Sequence, residues 1–244
     1  MQDMHTRKLR WLRIRAYTGF VFLVMVISVL AGCVTGGKAK PVADESPVVE
    51  EPIADESPVV EGLSVTKLDD GREGFIITEV PTMDEASRRD FDRAVTLLEA
   101  REYGQAIELL KKIIEQSPGV TAPYINIAIA YERLGKLEQA EEYLTTALEM
   151  FHAHPVASNE YGLLYRKTGR FAEAREMYEN AIAHFPEYYP VHRNLGILCD
   201  LYLNDPECAL EHYEIYRGAM SDDRQVEFWI VDLRARTGLT EEER

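Results

Sequence analysis

A single period constrains this chain more than any other feature: related residues recur every 34 positions. Ala128, Gly162 and Gly196 stand one period apart, and so do Ala106, Ala140 and Ala174. The stretch Gly162-Leu-Leu-Tyr165 is answered one period later by Gly196-Ile-Leu-Cys199. A fixed period of this length is the mark of a solenoid. One unit cannot bury its apolar face alone, so each unit buries it against the next. Such an array presents extended surface for binding rather than a deep catalytic cleft. Within each unit, apolar residues recur at helical spacing in paired segments of about 13 residues, split by short turns.

The residues at fixed places in the period resemble the tetratricopeptide repeat. Units starting at Ser87, Thr121, Pro155 and Tyr189 align without gaps over most of their length. Position 8 reads Ala94, Ala128, Gly162, Gly196, and position 11 reads Leu97, Tyr131, Tyr165, Cys199. Gly135 and Gly169 hold position 15, and Pro118 and Pro186 close the first and third units. Small residues at positions 8 and 20 let the two helices of a hairpin approach closely, while aromatic residues fill the space around that contact. The resemblance implies an all-α, right-handed solenoid of about four helix-turn-helix repeats, at 87–120, 121–154, 155–188 and 189–220. The fourth unit carries one extra residue, because Ala209 falls one place late. The apolar stretch 226–233 then suits a capping helix in a closing segment 221–244, with Ser221 or Asp222 at its start.

In the resembled family the first helix of each repeat lines a concave groove. Carried onto this sequence, that implies a partner-binding surface built from Phe91, Val95, Ile125, Asn126, Ile129, Asn159, Leu163, Arg166, Lys167, Arg193, Asn194 and Ile197. Val95, Ile129, Leu163 and Ile197 would form an apolar row at position 9. Asn126 and Asn194 would bond a peptide backbone, and Arg166, Lys167 and Arg193 would hold an acidic group. The chaperone-binding members of the family clamp a carboxylate with basic and Asn residues at positions 5 and 9 of the first repeat. Phe91 and Val95 stand there, so an apolar extended or helical peptide suits this groove better. A second reading is that the row is covered from within, by the linker or the capping helix.

The amino-terminal end carries a different signal. Arg7, Lys8, Arg10, Arg13 and Arg15 precede an apolar run from Ala16 to Leu30, and Leu30-Ala31-Gly32-Cys33 follows. A basic start, a short apolar core and small residues before a cleavage point read as an export signal over 1–32. The ending resembles the bacterial lipoprotein box. That resemblance implies cleavage before Cys33 and lipidation of its thiol and new amine. With no Asp at position 34, it also implies an outer-membrane address with the repeats facing the periplasm. An uncleaved membrane anchor is the alternative.

Residues 33–86 read as a spacer. Pro41-Val-Ala-Asp-Glu-Ser-Pro-Val-Val-Glu50 recurs as Pro52-Ile-Ala-Asp-Glu-Ser-Pro-Val-Val-Glu61, and residues 34–86 hold 13 acidic against 4 basic side chains. Such a stretch cannot bury enough surface to offset its ordering entropy, so a disordered linker is expected. Residues 74–81 differ, being apolar and β-branched behind a turn-forming Asp69-Asp-Gly71. They are expected to pack on the first repeat or along the groove. Thr82 with Glu85 would form a capping box for the first helix.

The chain has 244 residues and a formal net charge of −15. Without its basic leader it is more acidic still, which argues against a nucleic-acid partner. Cys199 and Cys208 lie on the two helices of the fourth unit, where a disulfide and a pair of small core thiols are both consistent with the spacing. His152, His154 and His184 are the nearest thing to a metal constellation, but they fall at turns and lack ligand spacing. With no nucleophile motif and no phosphate-cradling loop, the chain reads as non-enzymatic and without a cofactor. The expected function is a scaffold binding a protein of the cell envelope, in a pilus, secretin, transport or cell-wall assembly. An adaptor that recruits a periplasmic hydrolase is the alternative, and a metal-binding accessory protein a weaker one.

Overall fold

The computed structural model describes residues 62–68 and 74–238. Cys33, the duplicated stretch of the spacer and the last six residues lie outside that range. Two strands, β1 (Leu63–Lys67) and β2 (Phe75–Glu79), come first. Nine α-helices follow among the described residues: α1 (Glu85–Glu99), α2 (Tyr103–Gln116), α3 (Ala122–Arg133), α4 (Leu137–Met150), α5 (Pro155–Lys167), α6 (Phe171–His184), α7 (Pro190–Leu198), α8 (Pro206–Ala219) and α9 (Arg224–Thr237). A π turn, Cys199–Leu203, extends α7. The helices pair as four hairpins, and each hairpin packs on the next.

The period sets this packing. Ala94, Ala128, Gly162 and Gly196 are buried at position 8, and Ala106, Ala140, Ala174 and Ala209 are fully buried on the facing helices. The first three hairpins turn in the same way. Arg101, Gly135 and Gly169 take the left-handed conformation, with φ of 63°, 73° and 79°. The next residue's N–H closes back on position 11, as in Lys136 to Tyr131 O at 2.9 Å and Arg170 to Tyr165 O at 2.8 Å. This is the wide C-terminal cap that leaves few helix carbonyls unmet. In the fourth hairpin the extra residue is absorbed by the π turn, whose wider loops take one more residue than an α-turn. Asn204 then adopts the left-handed angle in place of the glycine, and Asp205 N–H bonds Cys199 O at 3.0 Å. Pro155, Pro190 and Pro206 open α5, α7 and α8 where a missing N–H costs nothing.

The helix starts correct two expectations. Asp84, not Thr82, caps α1, its side chain accepting from Ser87 N–H at 2.7 Å. Asp223, not Ser221 or Asp222, caps α9, accepting from Gln225 N–H at 3.1 Å. In both cases an acidic side chain sits directly before the first helical residue, where it meets the free N–H groups. Cys199 and Cys208 are joined as a disulfide with Cα atoms 5.9 Å apart, which selects one of the two readings of that pair.

The span read as spacer ends in an ordered antiparallel hairpin, with Leu63 opposite Glu79 and Lys67 opposite Phe75. One face carries Leu63, Val65, Phe75 and Ile77, which join the main core. The hairpin reaches from the start of the second unit to the fourth, while Pro81, just after it, packs against Gly119 at the end of the first unit. Glu79 reaches Thr121 and Ala122 at the start of α3. Phe75 meets Tyr188 edge-on at 5.2 Å, just before α7. Lys67 donates to Ala219 O at the end of α8 and lies over the Tyr189 ring.

Candidate functional site

The first helices of the units, α1, α3, α5 and α7, form one wall, each touching the next of its kind. Along this wall the twelve residues expected to line a groove divide into two sets. Phe91, Val95, Ile125, Asn126 and Asn159 are buried and serve the core, so they do not face a partner. Three of them, Phe91, Ile125 and Asn159, share position 5, whose side chains are closed over by packing; Val95, the first member of the expected position-9 row, is buried as well, so that row begins only at the second unit. Ile129, Leu163 and Ile197 remain half-exposed and make the apolar row that position 9 foretold.

The expected polar contacts are largely satisfied from within. Asn126 Nδ2 donates to Ala122 O at 2.8 Å, and Asn194 Nδ2 donates to Asn159 Oδ1 at 2.8 Å, tying α7 to α5. Lys167 pairs with Glu132 at 3.0 Å. Arg193 pairs with Asp223 at 3.4 Å and stacks over Trp229 at 4.9 Å. Arg166 reaches Asn194 O at 3.4 Å and lies over the Tyr202 ring. The three cations therefore act as rungs between units and do not converge on one anion, which corrects the expected basic cluster.

Two features of the wall escaped the sequence reading. The first is acidic. Glu160 lies beside Glu132 at a small pocket lined also by Ala128, Ile129, Ala140, Leu144 and Leu164. Burial and the Glu132 charge hold the Glu160 carboxyl up to about 7, while the Asn159 bond at 3.3 Å and the Arg133 charge offset this in part. The second is an extension. Phe228 and Val231 on α9 are exposed, and they fall one period after Asn194 and Ile197. Arg236 on α9 pairs with Asp200 at 2.8 Å, so α9 lies alongside the end of α7 and carries the row onward. The period itself was the available signal; reading 226–233 only as a cap hid it.

Among the described residues the histidines form no metal-ligand group. His154 is buried and caps α5, its Nδ1 accepting from Ala157 N–H at 3.3 Å, and burial holds its pKa down to about 3. His152 is exposed, and His184 bonds Asn180 O within its own helix. His192 and His212 meet through Nδ1 atoms at 3.0 Å, with His192 Nε2 on Pro186 O. Since a carbonyl only accepts, His192 carries its proton on Nε2 and His212 donates from Nδ1. Cys199, Asp205 and Cys208 are the one group among the described residues with metal-ligand proximity, and both of its sulfurs are committed to the disulfide.

Comparison with known proteins agrees with this geometry. A family model described as tetratricopeptide repeat matches residues 97–159, and a second with the same description matches residues 155–198. Protein FlbA of Caulobacter vibrioides is 30% identical over 120 residues, covering 49% of this chain and 20% of that protein. The human protein O-mannosyl-transferase TMTC2 is 35% identical over 83 residues, covering 33% of this chain and 10% of the other. The chain thus spans a fifth or less of the length of these curated relatives. Among solved structures, Pseudomonas aeruginosa pilF superposes with a TM-score of 0.58 at 23% identity, over 63% of this chain and 69% of that one. The TTC0263 protein of Thermus thermophilus gives 0.54 at 20% identity, over 62% and 82%. MamA of Desulfovibrio magneticus gives 0.53 at 17%, over 64% and 88%. At these identities the likeness is one of fold.

Proposed function

We propose that this chain, whose residues 97–198 match tetratricopeptide-repeat models, is a non-enzymatic scaffold whose inner wall binds an apolar peptide or helix of a cell-envelope protein. The observation that carries the reading is the row Ile129, Leu163 and Ile197. It stays partly exposed, while the other nine residues expected to line the groove are either buried or bonded to a neighbour. Phe228 and Val231 lengthen it. An amphipathic helix laid along such a row would bury its own apolar face at about 25 cal/mol per Å². The envelope setting rests on the export signal and the Leu30-Ala31-Gly32-Cys33 box, which support a lipid-anchored protein held at the outer membrane with its repeats in the periplasm.

The test is crosslinking in cells, followed by purification from detergent-solubilised membranes. Wild type should carry a protein partner, and Ile129→Glu with Leu163→Glu should lose it while keeping its helical circular dichroism. A folded double variant that still retains the partner would remove the wall from the reading. In the same preparation Cys33→Ala should leave the membrane fraction; if it stays, the anchor is a spanning segment instead.

A further inference from the structure

We propose that the wall takes a lysine side chain of its partner, seated between Glu132 and Glu160 within the apolar row. The inference rests on the binding reading above and adds the chemistry of the occupant. Three observations meet at one place. Glu132 on α3 and Glu160 on α5 flank a single pocket whose remaining lining, from Ala128 to Leu164, is apolar. Ile129, which lines that pocket, and Leu163, one helical turn beyond Glu160, belong to the half-exposed row. Glu132 has a cation in Lys167, but Glu160 forms no ion pair among the described residues; its one hydrogen bond there comes from the neutral Asn159 amide. Glu132 is thus neutralised by a direct ion pair, whereas Glu160 has no cation in contact and only the Arg133 charge at a distance.

The size of the vacancy favours lysine over arginine. The pocket's free volume is about 10 Å³, room for a group the size of a water. An ammonium is of that size, whereas a guanidinium is a wide planar fork. The lysine stem would lie on Ile129 and Leu163, which suits a long apolar chain with a charged tip. Other charged groups in reach do not supply the missing cation. Arg133 acts on Glu160 without forming an ion pair, and Arg166 is engaged by Asn194 O and the Tyr202 ring; the buried Tyr178 and Tyr188 hydroxyls stay un-ionised beside Glu160. Because burial and Glu132 hold the Glu160 carboxyl up to about 7, a lysine should be held more tightly at pH 8 than at pH 5.5.

The experiment selects random 12-residue peptides on the detergent-solubilised full chain at pH 8, then measures the best peptide by fluorescence anisotropy. Enriched peptides should carry a lysine flanked by Leu, Ile, Val or Phe. Changing that lysine to methionine should weaken binding to wild type about tenfold, and to Glu160→Gln less than about twofold. Wild-type affinity for the lysine peptide should fall on going to pH 5.5. Apolar peptides without lysine enrichment, or an equal lysine effect in both proteins, would overturn the lysine site while leaving the wall as the binding surface. Binding that survives Ile129→Glu with Leu163→Glu would overturn the wall reading and this inference together, as would the recovery of no peptide.

Discussion

At the scale of residues, the repeat is held by matched sizes rather than by a fixed list. Position 8 is Ala in the first two units, where Leu110 and Leu144 stand at the place in the period that Tyr178 holds in the third. In the third and fourth units it is Gly, and Tyr178 and Tyr213 lie where a Cβ would stand. A Cβ on Gly162 would fall 2.3 Å from the Tyr178 ring, and one on Gly196 would fall 2.6 Å from the Tyr213 ring. Tyr178 is fully buried with no partner for its hydroxyl, so the ring is kept for its volume. Gly162→Ala should therefore destabilise the protein by about 1–3 kcal/mol through overpacking. Adding Tyr178→Leu, which recreates the pairing of the first two units, should recover most of that loss. Urea unfolding of the two single variants and the double variant measures the coupling, and additive losses would show that the contact is not the cause.

At the scale of elements, the turns show what a period can and cannot convey. Gly135 and Gly169 announced the left-handed residue that ends α3 and α5. The same geometry at Arg101 had no such signal, because an arginine there adopts φ of 63° against its own preference. Non-glycine residues lose about 1 kcal/mol in that conformation. Arg101→Gly should thus raise the stability of the first hairpin by about 0.5–1 kcal/mol, read as a higher melting temperature with unchanged helicity. An unchanged or lower melting temperature would mean that Arg101 holds the turn in another way. The late Ala209 did reveal an insertion, but the sequence did not say where it is absorbed. The π turn at Cys199–Leu203 does so inside a helix, where composition gives no cue. Packing against the next unit decided the burial of Phe91, Ile125 and Asn159. Periodicity places a residue on a helix face, yet it does not tell whether a neighbour closes over that face.

At the scale of the whole molecule, the hairpin matters most, and it was the least legible part. Its alternation of apolar residues was visible in 74–81, but its destination depended on contacts more than 40 residues away in sequence, such as Glu79 to Thr121. The Glu79 carboxylate is buried and accepts from Thr121 N–H at 3.1 Å, Thr121 Oγ1 at 2.6 Å and Ala122 N–H at 3.2 Å. It supplies from outside the cap that Thr121 does not give α3. With Lys67 fixed to the end of α8, the hairpin ties the second unit to the fourth, an added link in an array otherwise joined neighbour to neighbour. Glu79→Ala would leave three buried donors unmet and should destabilise by about 2–4 kcal/mol. Hydrogen exchange should rise first in Leu63–Lys67, Phe75–Glu79 and the first turn of α3, whereas a uniform rise would mean that the hairpin is not a separate fastening. Burial places the Glu79 pKa above its usual 4.5, with the Thr121 and Ala122 bonds opposing. Its contribution is therefore full below about pH 4.5 and declines as pH rises through the folded value. The stability gap between wild type and Glu79→Ala should accordingly narrow from pH 4.5 to pH 8; a gap that widens would show the ionised carboxylate to be the favoured form.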